Sequence, residues 1–97
     1  MKDLTKEQIA ELKKKYGEIY QLEIEGKKCI LHKPTRQVLS AATVTAGKDP
    51  IRFNEIILKN CWIQGDEDIQ TNDDLFLGIC PKLAEIIEVK EAEIKKL

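Results

Sequence analysis

The stretch from Asp49 to Asp68, DPIRFNEIILKNCWIQGDED, decides how this chain is expected to fold. Wound as a helix at about 100° per residue, its first part is apolar around most of its circumference. One apolar face holds Phe53, Ile56, Ile57 and Cys61, and another holds Ile51, Leu58 and Trp62. Such a helix needs cover from several sides, so we predict that residues 50–62 form the central helix. Asp49 as a cap and Pro50 at the first helical position mark its start.

The length and composition predict a folded domain and disfavour some kinds of partner. The chain has 97 residues, 42% of them hydrophobic and 34% charged, which suits one folded domain over residues 1–97. Sixteen basic and seventeen acidic residues leave a net charge of -1, so there is no broad basic field for nucleic acid or an anionic membrane. No apolar run approaches the roughly 20 residues that span a bilayer. We therefore expect a soluble protein with no nucleic-acid and no membrane partner.

A helix and a hairpin are predicted before the central helix. Thr5 and Gln8 form a capping box for a helix over residues 5–16. The apolar period then changes to two, and a glycine turns the chain back, which predicts a β-hairpin over residues 19–33. The free edges of this hairpin are candidates for pairing with a second copy of the protein.

Two more helices complete the predicted fold. Thr35 caps a helix over residues 35–46. A last helix over residues 72–95 carries an apolar stripe that keeps its phase across Pro81, so we predict a kink there instead of a break. The fold class is therefore α+β, a small single domain with an N-terminal helix, a β-hairpin and three further helices. The predicted core consists of Tyr20, Leu22, Ile24, Leu31, Val38, Leu39, Ala42, Phe53, Ile56, Ile57, Cys61, Trp62, Leu75, Ile79, Leu83 and Ile86.

Candidate catalytic and metal-binding patterns fail on inspection. The only histidine, His32, has no serine and acid arranged around it and no companion for a metal site, and Cys61 and Cys80 lack a nearby cysteine or histidine at metal-ligand spacing. The three cysteines are odd in number and widely spaced, which predicts reduced thiols. There is no glycine-rich phosphate loop. We predict a protein that is not an enzyme and that uses no cofactor and no metal.

The acidic loop after Trp62 is a candidate calcium-binding site. Asp66 and Asp68 would be the first and third ligands, but Thr71 stands at the sixth position, where the calcium loop requires glycine. Thr71 and Asp74 instead resemble a capping box for the last helix. We predict that the loop is a solvated connection and that the acidic residues at the helix start have a structural role.

Four strings, with the order of elements, carry a resemblance to a known family. They are KPTR at 33–36, RFNEIILKNCWIQGDEDI at 52–69, DDLFL at 73–77 and LAEIIEVKEAEIKKL at 83–97. From about Leu4 to Leu97 the chain resembles short proteins of tailed phages and prophages that are usually regarded as tail assembly chaperones or tail-associated proteins. The resemblance implies a protein of the host bacterial cytoplasm that coats a helical tape-measure-like client before the tail tube forms. It also implies self-association, and hence a homo-oligomer.

Two other classes remain open beside the chaperone. A structural tail or neck subunit would be retained in the virion, and mass spectrometry of purified particles separates the two roles. A small adaptor or inhibitor of a host protein is the third class, and a pull-down from infected cells would address it.

The resemblance also suggests where a client would bind. A helical client needs an apolar groove with anchors at three- and four-residue spacing. The stripe of the last helix continues through Ile87, Ile94 and Leu97, further than a small core requires, so we predict these three as contact residues. Trp62 is a fourth candidate, as an aromatic anchor, if its ring is exposed. Internal packing of all four is the alternative.

Overall fold

The computed structural model describes residues 3–87 and 92–97. Over these residues the elements are α1 (Lys6–Tyr16), β1 (Ile19–Ile24), β2 (Lys27–His32), α2 (Arg36–Ala46), α3 (Pro50–Cys61), β3 (Trp62–Gly65), α4 (Asp68–Thr71) and α5 (Asp73–Ile86). The predicted α+β class is confirmed, and so is the order of helix, hairpin and following helices. Strand β3 and the short helix α4 are additions that the sequence patterns did not predict.

Local capping chemistry places the helix starts where the sequence predicts them. The Thr5 hydroxyl accepts a hydrogen bond from the Gln8 amide at 3.2 Å, and the Gln8 side chain accepts one from the Thr5 amide at 2.9 Å. This closes the capping box that begins α1. Asp49 accepts hydrogen bonds from the amides of Ile51 and Arg52 at 3.0 and 3.1 Å, which begins α3. These side chains satisfy amides that have no partner inside the helix.

The β1–β2 hairpin is the predicted one. Its antiparallel register runs from Ile19 opposite His32 to Ile24 opposite Lys27. Glu25 and Gly26 make the turn with positive φ values of 47° and 78°. Two positive φ values are the pattern of a type I′ turn, whose twist matches that of the strands it joins.

Strand β3 corrects the prediction that the central helix includes Trp62. Helix α3 ends at Cys61, and Trp62 takes an extended conformation, with φ −66° and ψ 123°. Trp62 lies opposite Leu31, so β3 adds a third antiparallel strand in the order β1-β2-β3. Four residues are too few to show an alternating pattern, and the preceding helical period continues through Trp62. Pairing with a strand distant in sequence decides its conformation.

The sheet is covered on both faces. Cys29 and Leu31 face a core that α2, α3 and α5 share. Ile30 lies between these two residues in β2, so its side chain points to the opposite face of the sheet. It is also buried, and on that face it lines a hollow together with Leu4 and Ile9. The protein therefore has three layers, with α1 on one face of the sheet and the remaining helices on the other.

Helix α3 is central, as predicted. It packs against α2, α4, α5 and β2, and Ile57 and Cys61 are fully buried. Ile51 is 50% exposed, so part of the second apolar face stays at the surface. Seven predicted core residues are buried: Leu31, Ala42, Ile57, Cys61, Ile79, Leu83 and Ile86. The buried residues that the prediction omitted are Cys29, Ile30, Leu58, Ile69 and Phe76. Leu75 is only half-buried.

The last helix differs from the prediction at both ends. Asn72, not Thr71 with Asp74, caps α5 by accepting a hydrogen bond from the Leu75 amide at 3.1 Å. The helix continues through Pro81, so the expectation of no break there is confirmed. It ends at Ile86, and residues 92–97 have no regular secondary structure. The predicted helix over 72–95 is too long, because the residues at 92–97 are exposed and helices rely on a packed face for stability. Residues 88–91 lie outside the described part of the chain.

Candidate protein-binding surface

The four predicted contact residues lie in different settings. Trp62 is the first residue of β3, half-buried and packed against the core, so its ring contributes to the fold. Ile87 is half-buried and follows the end of α5 directly. Ile94 and Leu97 lie in the segment of residues 92–97, here named the terminal segment. No continuous helical stripe joins them to α5 in the described residues, which corrects the predicted helical wall.

The terminal segment exposes apolar side chains to solvent. Ile94 and Leu97 have exposed fractions of 100% and 108%, so neither is covered by the domain. Two lysines, Lys95 and Lys96, stand between them and are also exposed. The terminal segment therefore combines two aliphatic side chains with two cations at the surface.

A second surface feature, the edge groove, lies between β1 and α5. It has a volume of about 430 Å³ and is lined by Tyr20, Gln21, Leu22, Glu23, Lys82, Glu85 and Ile86. Helix α5 lies close to β1 because Gly78 faces the Ile24 side chain and has no Cβ to meet it. Residues spaced three or four apart lie on one helix face, and this applies to Lys82, Glu85 and Ile86. The predicted contact set omitted this groove, although alternation in β1 already indicated that Gln21 and Glu23 are exposed.

Both signs of charge occur around the edge groove. The Lys82 ammonium lies 3.4 Å from the Glu85 carboxylate, and both side chains are exposed, so solvent screens this pair strongly. Glu23 stands opposite Lys28 in the hairpin register. The Lys28 ammonium donates a hydrogen bond to the Asp3 carboxylate at 2.6 Å. That hydrogen bond raises the pKa of Lys28 and lowers the pKa of Asp3.

The acidic loop is hydrogen-bonded to strand β2, whereas the sequence predicted only a solvated connection here. The Lys28 amide donates a hydrogen bond to the Asp66 carboxylate at 2.9 Å, and the Asp66 amide donates one to the Lys28 carbonyl at 2.9 Å. The Lys28 amide lowers the pKa of the Asp66 carboxyl. Asp68 forms an ion pair with Lys27 at 3.1 Å, and Ile69 is fully buried. Over residues 3–87 and 92–97, no cluster of three metal-ligating side chains occurs.

His32 joins three elements at one end of the sheet. Its Nε2 lies 3.0 Å from the Asn60 carbonyl oxygen near the end of α3, and its Nδ1 lies 3.0 Å from the Lys33 carbonyl oxygen. The Tyr16 ring stacks on it, with 5.5 Å between ring centroids. These contacts connect α1, β2 and α3, so the side chain serves packing and orientation.

The three cysteines are all free thiols with raised pKa values. Cys29 and Cys61 are fully buried, and burial raises the pKa of each to about 11. Cys80 is half-buried, and burial raises its pKa too. Its Sγ donates a hydrogen bond to the Phe76 carbonyl at 3.2 Å. Because the thiolate is the nucleophile, the two buried thiols are protected both by burial and by protonation.

We expect a thiol reagent at pH 8 to label Cys80 first in the native protein. Raising a thiol pKa from 9 to about 11 lowers its thiolate fraction about a hundredfold at this pH, so Cys29 and Cys61 should react at least that much more slowly than a thiol of ordinary pKa. They should also react more slowly than the half-buried Cys80. Mass spectrometry of peptides from a labelling time course gives the three rates. The denatured protein is the control, in which the three rates should converge. Rapid native labelling of Cys61 would contradict the orientation of α3.

None of the helices in the described ranges has the length and apolarity to cross a membrane. Models of known protein families, curated proteins and solved structures contain no match for this chain. Support for a function therefore comes from the residues themselves and from their geometry.

Proposed function

We propose that this protein is a non-enzymatic binding protein of the tail-assembly-chaperone type, which holds a helical tape-measure-like client during phage tail assembly. The observation that supports this most directly is the terminal segment, where Ile94 and Leu97 are fully exposed. Exposed aliphatic side chains beyond the end of a folded domain are suited to packing against a partner. The binding role requires no catalytic group and takes place in the host bacterial cytoplasm.

The terminal segment has the residue spacing of an amphipathic helix without being helical. Ile94 and Leu97 are three residues apart, so a helix would place them on one face. A helix of so few residues is unstable in water without a packing surface. An apolar stripe on a client helix supplies that surface, so we propose that the segment becomes helical on the client.

The sequence strings add independent support for the same assignment. The string LAEIIEVKEAEIKKL at 83–97, which contributes to the resemblance to tail assembly chaperones, includes the whole terminal segment. Lys95 and Lys96 outnumber the one acidic side chain of this segment, Glu93, so its side chains carry a net charge of about +1 beside the aliphatic pair. We propose that the client carries acidic residues beside its apolar stripe, because opposite charges across an interface favour association and fix its register.

Changing Ile94 and Leu97 together to serine should weaken client binding about tenfold or more while leaving the thermal midpoint within about 2 °C of the wild type. The two side chains are fully exposed, so their loss removes client contacts but little packing within the domain. Calorimetric titration with the tape-measure protein of the same phage or prophage measures affinity, and thermal denaturation measures stability.

A matched control is the double change of Val44 and Leu77 to serine. Val44 is 80% exposed on α2 and Leu77 is 51% exposed on α5, so this variant removes the same kind of surface elsewhere. It should bind the client as the wild type does. Unchanged affinity in the Ile94 and Leu97 variant, or equal losses in both variants, would contradict the assignment of the terminal segment.

A further inference from the structure

The two edges of the sheet differ in how far they are protected. The β3 edge has four residues, and its pairing with β2 is irregular between Ile30 and Leu31. The β1 edge has six residues in regular register, without a bulge or a proline. Proteins usually shorten, bend or charge an edge strand to prevent pairing with another chain. Within residues 3–87 and 92–97, no strand pairs with the outer side of β1.

The hydrogen-bond phase of the hairpin shows which backbone groups this edge presents. The Lys33 amide donates a hydrogen bond to the Glu18 carbonyl at 3.1 Å. Glu18 therefore directs its backbone hydrogen-bonding groups toward the β2 side of the hairpin. In an antiparallel pair, residues that direct their amide and carbonyl groups toward the partner strand alternate with residues that direct them away from it. Ile19, Gln21 and Glu23 therefore direct their backbone hydrogen-bonding groups away from β2.

We propose that β1 pairs antiparallel with β1 of a second copy, about a two-fold axis at Gln21, and joins the two three-stranded sheets into one. In this register Gln21 faces its own symmetry mate, and Ile19 faces Glu23 of the second copy. The three outward residues of each copy then form about six backbone hydrogen bonds across the axis. No two like charges stand directly opposite each other in this register.

Charge complementarity favours a second copy as the occupant of this edge. Lys13 of α1 lines the same hollow as Ile19 and Gln21 on one face of the sheet. Glu23 of the second copy arrives opposite Ile19, which brings its carboxylate near Lys13. The two-fold axis repeats this ion pair, so each interface has two. The Lys28 ammonium, which stands opposite Glu23 within the hairpin, donates to Asp3.

The pairing extends beyond the proposed function and does not depend on it. It uses β1 and one residue of α1, whereas client binding uses the terminal segment. If the terminal segment does not bind a client, the proposed β1 pairing still stands. If β1 does not pair, the proposed client binding still stands.

Charge exchange between Lys13 and Glu23 tests the pairing. The full chain is studied by sedimentation equilibrium over concentrations from about 1 μM to 1 mM, which brackets dissociation constants typical of weak self-association. We expect a dimer in the wild type. Glu23→Lys and Lys13→Glu should each raise the dissociation constant about tenfold, because each turns two attractive ion pairs between α1 of one copy and β1 of the other into repulsive ones. The double variant, Lys13→Glu with Glu23→Lys, should return to the wild-type value.

Lys14→Glu is the matched control, since Lys14 is the next exposed lysine on the same helix and faces a different direction. It should dimerise as the wild type does. Lys13 is exposed, so its single variant should keep the fold even if Glu23→Lys weakens the hairpin. A wild type that stays monomeric throughout this range overturns the proposal. A dimer insensitive to Lys13→Glu, or a double variant that stays as weak as the single variants, overturns it as well.

Discussion

Gly65→Ala is expected to destabilise the protein by about 3 kcal/mol or more, because a Cβ at this position has no room. Gly65 lies opposite Cys29 in the β2–β3 register. A Cβ built there would lie 2.5 Å from the Cys29 Cα and 2.6 Å from the Lys28 carbonyl oxygen. These are backbone atoms in the middle strand of the sheet, so they cannot move without disturbing β2. The φ of Gly65 is +152°, a backbone conformation that residues with a side chain rarely adopt.

Gly47→Ala separates the clash from the effect of φ. Gly47 follows α2 with φ of +60°, and a Cβ there would meet no atom within 4 Å. Its substitution should cost about 1 to 3 kcal/mol, the penalty for a residue other than glycine in a sparsely populated backbone region, without the clash that is added at Gly65. Urea denaturation of both variants gives the two free energies of unfolding. Equal losses for the two substitutions would show that β3 does not pack on β2 as described.

Ile57→Ala should lower the free energy of unfolding by about 2 to 5 kcal/mol, since it leaves a cavity in the centre of the protein. Ile57 is fully buried on α3, and that helix packs against α2, α4, α5 and β2. Relaxation from one side cannot fill a cavity enclosed by several elements. In a domain of this size, each lost kcal/mol lowers the thermal midpoint by about 4 to 8 °C.

Ile51→Ala on the same helix provides the comparison. Ile51 is 50% exposed, so its truncation leaves no closed cavity and should cost about 1 kcal/mol or less. Calorimetric or denaturant unfolding of the two variants measures the difference. If Ile57→Ala leaves the midpoint unchanged while Ile51→Ala lowers it, the central position of α3 is wrong.

Elements whose cause is local were predicted from the sequence. The capping box at Thr5, the cap at Asp49 and the turn at Gly26 each depend on side chains or backbone conformations within a few residues. The buried face of α3 followed from its helical period, because an apolar face must be covered whatever covers it.

Features that depend on distant contacts were not predicted. Trp62 and the three residues after it form a strand because β2 offers a partner, and no local pattern indicates that partner. Ile30 is buried because α1 lies over the second face of the sheet. The predicted helix at 72–95 followed from periodicity alone, yet the described residues beyond Ile87 have no packing surface to hold a helix. The edge groove was missed for the same reason, since it requires α5 to lie beside β1.

The reciprocal hydrogen bonds between Lys28 and Asp66 have a consequence for cooperativity. They join residues 38 positions apart and so close a long loop of chain that contains α2 and α3. Loss of the β2–β3 pairing would release both helices at once, so the loop behaves as one cooperative unit. Helix α1 has no fully buried residue, and both it and the terminal segment lie outside the loop. Each can fray while the loop stays closed, so local opening and global unfolding are separate events in this protein.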